Sequence, residues 1–115
     1  MGDFSNALSN AEIERLALLS EEAGELVQVI GKILRHGYES YNPYQSELGS
    51  NREQLEAEIG DLLYSIELMH RNNDIDKWSV EAGCDAAIEK KPKYLHHQTE
   101  LPRKITVEKG LNPDE

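Results

Sequence analysis

A single cysteine, Cys84, excludes an internal disulfide and suits a reducing, cytoplasmic setting. Cations are scarce as well. Twelve Lys and Arg against 22 Asp and Glu leave a formal net charge of −10. That balance argues against general binding to DNA or RNA, whose phosphates must be neutralised by Lys and Arg. A polyphosphate ligand would meet the same repulsion unless added cations mediate. No apolar stretch approaches the ~20 residues of a membrane-spanning helix, so no membrane partner is expected. The opening MGDFSNALSN has no basic segment followed by an apolar run, so no signal peptide is expected. No Ser-His-Asp constellation, Gly-rich phosphate loop or Cys/His zinc spacing occurs, and Gly31-Lys32 lacks the upstream glycine of a P-loop. His36, His70, His96 and His97 are scattered and read as non-catalytic, and Cys84 reads as a small packing residue.

What is present reads as helices. The 115 residues fit one domain, and so small a bundle gains burial by pairing with its own copy. Ser9 and Glu12 have capping-box spacing, and apolar residues recur at Ile13, Leu16, Leu19, Ala23, Leu26, Ile30 and Leu34 before His36-Gly37 supplies a stop. The stretch from Tyr38 to Gly49 is expected to be a loop, with a turn at Asn42-Pro43. Its tyrosines, Tyr38, Tyr41 and Tyr44, could stack on a flat ligand or pack the loop onto the bundle. Ser50 and Glu53 repeat the capping box, opening a second helix to about Arg71 along Leu55, Ile59, Leu62, Ile66 and Met69. A third helix runs from about Asp76 to Lys91, where Pro92 stops it. The expected fold is therefore an all-α helical bundle over residues 1–95, completed by homo-oligomerisation. A polar tail over residues 96–115 follows, with a short strand at Ile105-Thr106-Val107.

Four acids fall in unusual places. With Leu16 at zero, the first helix's apolar arc runs from about 200° to 20°, and Glu22 falls inside it at about 240° with Glu25 at its edge near 180°. With Leu55 at zero, the second helix carries Glu58 at about 300° and Asp61 at about 240°, between two apolar strips and beside Ser65. Removing a carboxylate from water costs several kcal/mol unless it is paired or ligated. Lys32 is the main cation on the same faces. A divalent cation resolves the conflict. Mg²⁺, with Mn²⁺ able to replace it, prefers oxygen ligands and leaves positions open for phosphate. The i, i+3 spacing makes Glu22/Glu25 and Glu58/Asp61 two clamps that antiparallel helices could bring together. Gly24, Gly31 and Gly60 sit beside both motifs, as close helix approach or room for a ligand would require.

Glu21-Glu22-Ala23-Gly24-Glu25 followed by Glu58-Ile59-Gly60-Asp61 resembles the EExxE…ExxD signature of MazG-like nucleotide pyrophosphohydrolases, in the all-α NTP pyrophosphatase superfamily. The resemblance covers roughly residues 12–95. It implies a helical bundle assembled as a homodimer or homotetramer, with Glu22, Glu25, Glu58 and Asp61 as Mg²⁺ ligands. It also implies hydrolysis of nucleoside triphosphates to monophosphate and pyrophosphate, as in clearance of unwanted nucleotides, with Glu22 or Glu25 accepting the proton of the attacking water. Glu21 would be an accessory acid or simply exposed. Basic residues after ExxD commonly meet phosphate in the family. Lys90, Lys91, Lys93 and Tyr94 occupy that region here, where a solvated helix end is the alternative, and Lys32 could reach phosphate or pair with an acid. Two rival functions remain open at this point. One is a dUTP/dUDP or guanosine-alarmone hydrolase of the same superfamily. The other is a non-enzymatic acidic helical interaction module.

Overall fold

The computed structural model describes residues 5–103. The short strand expected at Ile105-Thr106-Val107 lies outside them. The described residues are mostly helical and contain no strand, only an isolated bridge between Tyr41 and Ser50. The chain divides into two compact units, Met1–Asp74 and Ile75–Glu115.

The first unit is a helical hairpin of α1 (Asn10–His36) and α2 (Asn51–Arg71). Both helices start where their caps predict. Ser9 and Ser50 each accept the backbone N–H three residues on, and Glu12 and Glu53 reach back to the cap N–H. The bonds from Ser9 hold the Glu12 carboxyl below its ordinary value. At the far end of α1, Gly37 adopts φ 88°, a conformation that favours glycine, and its N–H bonds Ile33 O at 2.7 Å. Two cross-links show that the helices run antiparallel. Arg15, near the start of α1, donates from Nε and Nη2 to both carboxylate oxygens of Asp74, just past α2, at 2.5 and 2.9 Å. Lys32, near the end of α1, donates to Gln54 at the start of α2.

The connection between them is more ordered than the plain loop expected. Asn42 accepts the Tyr44 N–H and Pro43 opens a 3-10 turn, Pro43–Leu48. Backbone bonds from Asn51 N to Ser40 O and from Arg52 N to Tyr38 O tie the loop to α2, and Asn51 Nδ2 donates to Gly37 O.

The helix faces differ from expectation in a way that bears on function. Apart from the cap residue Glu12 and Gly31, the more buried residues of α1 are Arg15, Leu18, Leu19, Glu22, Glu25, Leu26, Val29, Lys32 and Ile33, an arc from about 160° to 300° on the scale used above. Glu22 is therefore near its centre rather than merely within an apolar face. The rest of the apolar arc, Ile13, Leu16, Ala23, Ile30 and Leu34, is exposed. On α2 the inner seam is Asn51, Leu55, Glu58, Leu62, Ser65 and Met69, with Glu58 at its centre and Ile59 exposed.

Gly24 and Gly60 do not mark close helix approach. A Cβ built on either meets nothing within 4 Å. Gly24→Ala is thus expected to stabilise the protein by about 1 kcal/mol through helix propensity alone, read as a higher denaturation midpoint. A lower midpoint would show that something outside this chain packs against that turn.

The second unit holds α3 (Lys77–Lys90), capped by Asp76 accepting the Ser79 N–H, and a 3-10 turn, Lys91–Tyr94, around Pro92. Cys84, expected as a small packing residue, is exposed on α3. Among the described residues no helix is long and apolar enough to cross a membrane.

Candidate metal centre

The capping boxes set the start of each helix, and the antiparallel hairpin then fixes which turns meet. Glu22 and Glu58 lie at the seam between α1 and α2, while Glu25 and Asp61 stand one turn on from each. All four contribute a carboxylate oxygen to one cluster, with these atoms within 4.8 Å of one another. Glu22, Glu25 and Glu58 are half-buried and Asp61 is exposed, so the cluster is dry on the seam side and open at its rim.

The electrostatics are those of an uncompensated site. Glu22 Oε2 and Glu58 Oε2 are buried with no hydrogen-bond partner among the described residues. The ion pairs Arg15–Asp74, Arg52–Glu39 and Arg71–Glu67 each lie outside the four acids. Burial pushes the Glu22 carboxyl above its ordinary value, and the charges of Glu25 and Asp61 push it further. Burial likewise raises Glu58, followed by the close approach of the Glu25 carboxyl and the negative charges around it. Among the described residues Lys32 is not paired with any of the four acids. Its Nζ donates to Gln54 Oε1 at 2.6 Å.

Two orphaned buried oxygens in an all-oxygen donor set fit a hard divalent cation such as Mg²⁺ or Mn²⁺ and do not suit the nitrogen and sulfur preferences of zinc. The open rim leaves room for an anionic ligand. From Glu25 and Glu58 a cavity of about 690 Å³ continues past Gln28 to Lys32, Arg35 and Gln54. A second cavity of about 360 Å³ shares Lys32, Arg35 and Gln54 and is walled by the loop through Ser40, Tyr41, Asn42 and Gln45.

Glu22, Glu25, Glu58 and Asp61, singled out from sequence, are thus brought together, and Lys32 lies along the adjoining cavity. Glu21 is exposed. Lys90, Lys93 and Tyr94 are exposed and belong to the second unit, at the end of α3 and in the turn after it. Arg35 and Gln54 were not anticipated. The sequence carried a usable signal for both. Gln54 precedes Glu58 by four residues on the same helix face, and Arg35 follows Lys32 by three.

The helical hairpin thus converges four carboxylates that could hold a metal ion on one half-dry seam, with Lys32 and Arg35 further along the same trough. The chain belongs to the MazG nucleotide pyrophosphohydrolase domain family, whose model matches residues 11–98. That membership supports nucleotide pyrophosphohydrolase activity in general. No match is found among curated proteins or solved structures.

Proposed function

We propose that the protein hydrolyses nucleoside triphosphates to the monophosphate and pyrophosphate, with Mg²⁺ held by Glu22, Glu25, Glu58 and Asp61. The observation that carries this reading is the pair of buried carboxylate oxygens, on Glu22 and Glu58, that have no hydrogen-bond partner among the described residues.

A bound Mg²⁺ would supply charge neutralisation for the phosphates and a lowered pKa for the attacking water. The chain's own residues do the rest. Glu22 or Glu25 accepts the proton from water as it attacks the α-phosphorus. Lys32 and Arg35, along the cavity beyond Glu25, bind phosphate oxygens and hold the chain of phosphates in line. Lys32 arrives preoriented by its bond to Gln54. Lys90, Lys93 and Tyr94 are assigned to phosphate binding on the family resemblance. The exposed apolar residues Leu16, Ile30 and Leu34 of α1 and Ile59 and Leu63 of α2 support assembly as a homodimer or homotetramer.

A nucleotide panel, with pyrophosphate and orthophosphate measured separately, tests the reaction. Pyrophosphate released from triphosphates, lost in EDTA and restored by Mg²⁺, is expected. Orthophosphate as the sole product, or turnover indifferent to EDTA, would refute it. An inert chain that binds a basic partner without metal would favour an interaction module instead.

A further inference from the structure

Beyond Lys32 and Arg35, which it shares with the phosphate side, the loop-side cavity has no role in the chemistry above, yet its remaining walls are chemically distinct. We propose that it is the nucleobase pocket, with Tyr41 as the stacking surface and Gln45 and Asn51 as the groups that meet the base edge. This rests on reading the carboxylate cluster as the triphosphate site.

Size comes first. At about 360 Å³ the cavity is at the small end of the range for ligand sites, about 300–1,000 Å³, so it suits a base with part of its sugar rather than a whole triphosphate. Position comes second. Lys32, Arg35 and Gln54 line both cavities, so a ligand whose phosphates lie against the cations can extend continuously into the loop side. Along α1, Lys32 lies seven residues beyond Glu25, about 10 Å, a span that a nucleotide bridges.

Chemistry decides which end of the substrate enters. A pyrophosphate group calls for cations around it, but they stand on the α1 wall alone, as Lys32 and Arg35. The loop and α2 contribute Tyr41, Pro43, Leu48 and neutral amides, which suit a flat, uncharged heterocycle.

The three loop tyrosines are not equivalent. Tyr38 has the Arg52 guanidinium over its ring, 4.3 Å from the centroid. Tyr44 is 94% exposed and does not line the cavity. Tyr41 lines it, and its backbone is fixed by the bridge to Ser50. Asn51 is only 5% exposed, and its Nδ2 is committed to Gly37 O. That bond orients the amide and leaves Oδ1 as an acceptor of fixed direction. Gln45 receives only a long contact from Asn42 at 3.4 Å, so its amide can turn to the base.

Two probes of the full chain in EDTA, followed by amide NMR shifts, separate the alternatives. Adenosine, guanosine, cytidine and uridine at millimolar concentration should shift residues 40–49, Asn51 and Gln54 and leave Glu22 and Asp61 unmoved. Pyrophosphate alone should shift Lys32 and Arg35 and spare Tyr41 and Gln45. In kinetics, Tyr41→Ala should raise KM for the preferred triphosphate about tenfold with kcat little changed, the loss expected for one stacked base. The circular-dichroism spectrum of the variant checks its fold, and Gln45→Ala serves as a second variant that leaves the backbone bridge untouched. Pyrophosphate moving the loop while nucleosides do not would overturn the assignment. Triphosphate turnover with no nucleoside response would remove the pocket and leave the proposed reaction standing. Nucleoside binding by a chain that hydrolyses nothing would do the reverse.

Discussion

Glu58→Gln is expected to raise the melting temperature of the metal-free protein while reducing turnover by at least about a hundredfold, since altering even an outer partner of a metal ligand costs 10–100-fold. Both effects have one cause. Glu58 occupies the centre of the α2 seam with a buried oxygen that has no hydrogen-bond partner among the described residues, and it clusters with Glu22, Glu25 and Asp61. An amide of the same shape removes one negative charge from that cluster and supplies its own N–H donor, which Glu22 Oε2 or Glu25 can accept. Without metal the variant therefore gains stability. With metal it has lost a ligand. Thermal melts in EDTA and in Mg²⁺, run beside pyrophosphate-release kinetics, measure the two arms together. A variant no more stable than wild type in EDTA would mean that the four carboxylates are already accommodated without a cation. Asp61→Asn provides the control, because Asp61 is exposed and should gain little stability while still losing activity.

The contrast between Glu58 and Asp61 also shows where sequence reasoning reached and where it stopped. Capping is local chemistry, so Ser9, Ser50 and Asp76 locate three helix starts without any tertiary information. Which acids intrude on an apolar face follows from the same local periodicity. The depth of each acid does not. The apolar arc of α1 is wider than the face it buries, and Leu16, Ile30 and Leu34 lie on the half left exposed. A helical wheel weights both halves equally, which leaves Glu22 merely inside the arc and Glu58 at the stripe's edge. Packing against the neighbouring helix moves both to the middle of the seam. The loop-side cavity was hidden for a different reason. Its walls come from the end of α1, the loop and the start of α2, and polar residues such as Arg35, Gln45 and Asn51 are unremarkable until the Asn51–Gly37 tie folds the connection back.

Metal and pH should act against each other on stability, and this is the second large effect expected. Glu22 and Glu58 both titrate above the ordinary carboxylate value of 4.5 in the folded chain. The folded state thus holds their protons more tightly than the unfolded state. Their favourable contribution is complete below pH 4.5 and is lost as pH rises through the raised values. Metal-free protein should accordingly melt at progressively lower temperature across that window, relative to a Glu22→Gln, Glu58→Gln double variant. Asp74 runs the other way. The hydrogen bonds from Arg15 hold it below its ordinary 3.8, so its contribution is present above that value and fades only in stronger acid. The two windows do not overlap, and the double variant isolates the first. A bound Mg²⁺ requires both carboxyls deprotonated, so its stabilisation grows as pH rises. At a concentration near 100 times Kd it should add about 2.7 kcal/mol, an increase in Tm on the order of 10 °C. Near neutral pH the metal-loaded protein should therefore be the more stable form by a wide margin, and the advantage should vanish as the carboxyls protonate. Calorimetric scans at several pH values, with and without Mg²⁺, read this directly. A gap that stays constant with pH would place the ion away from these four side chains.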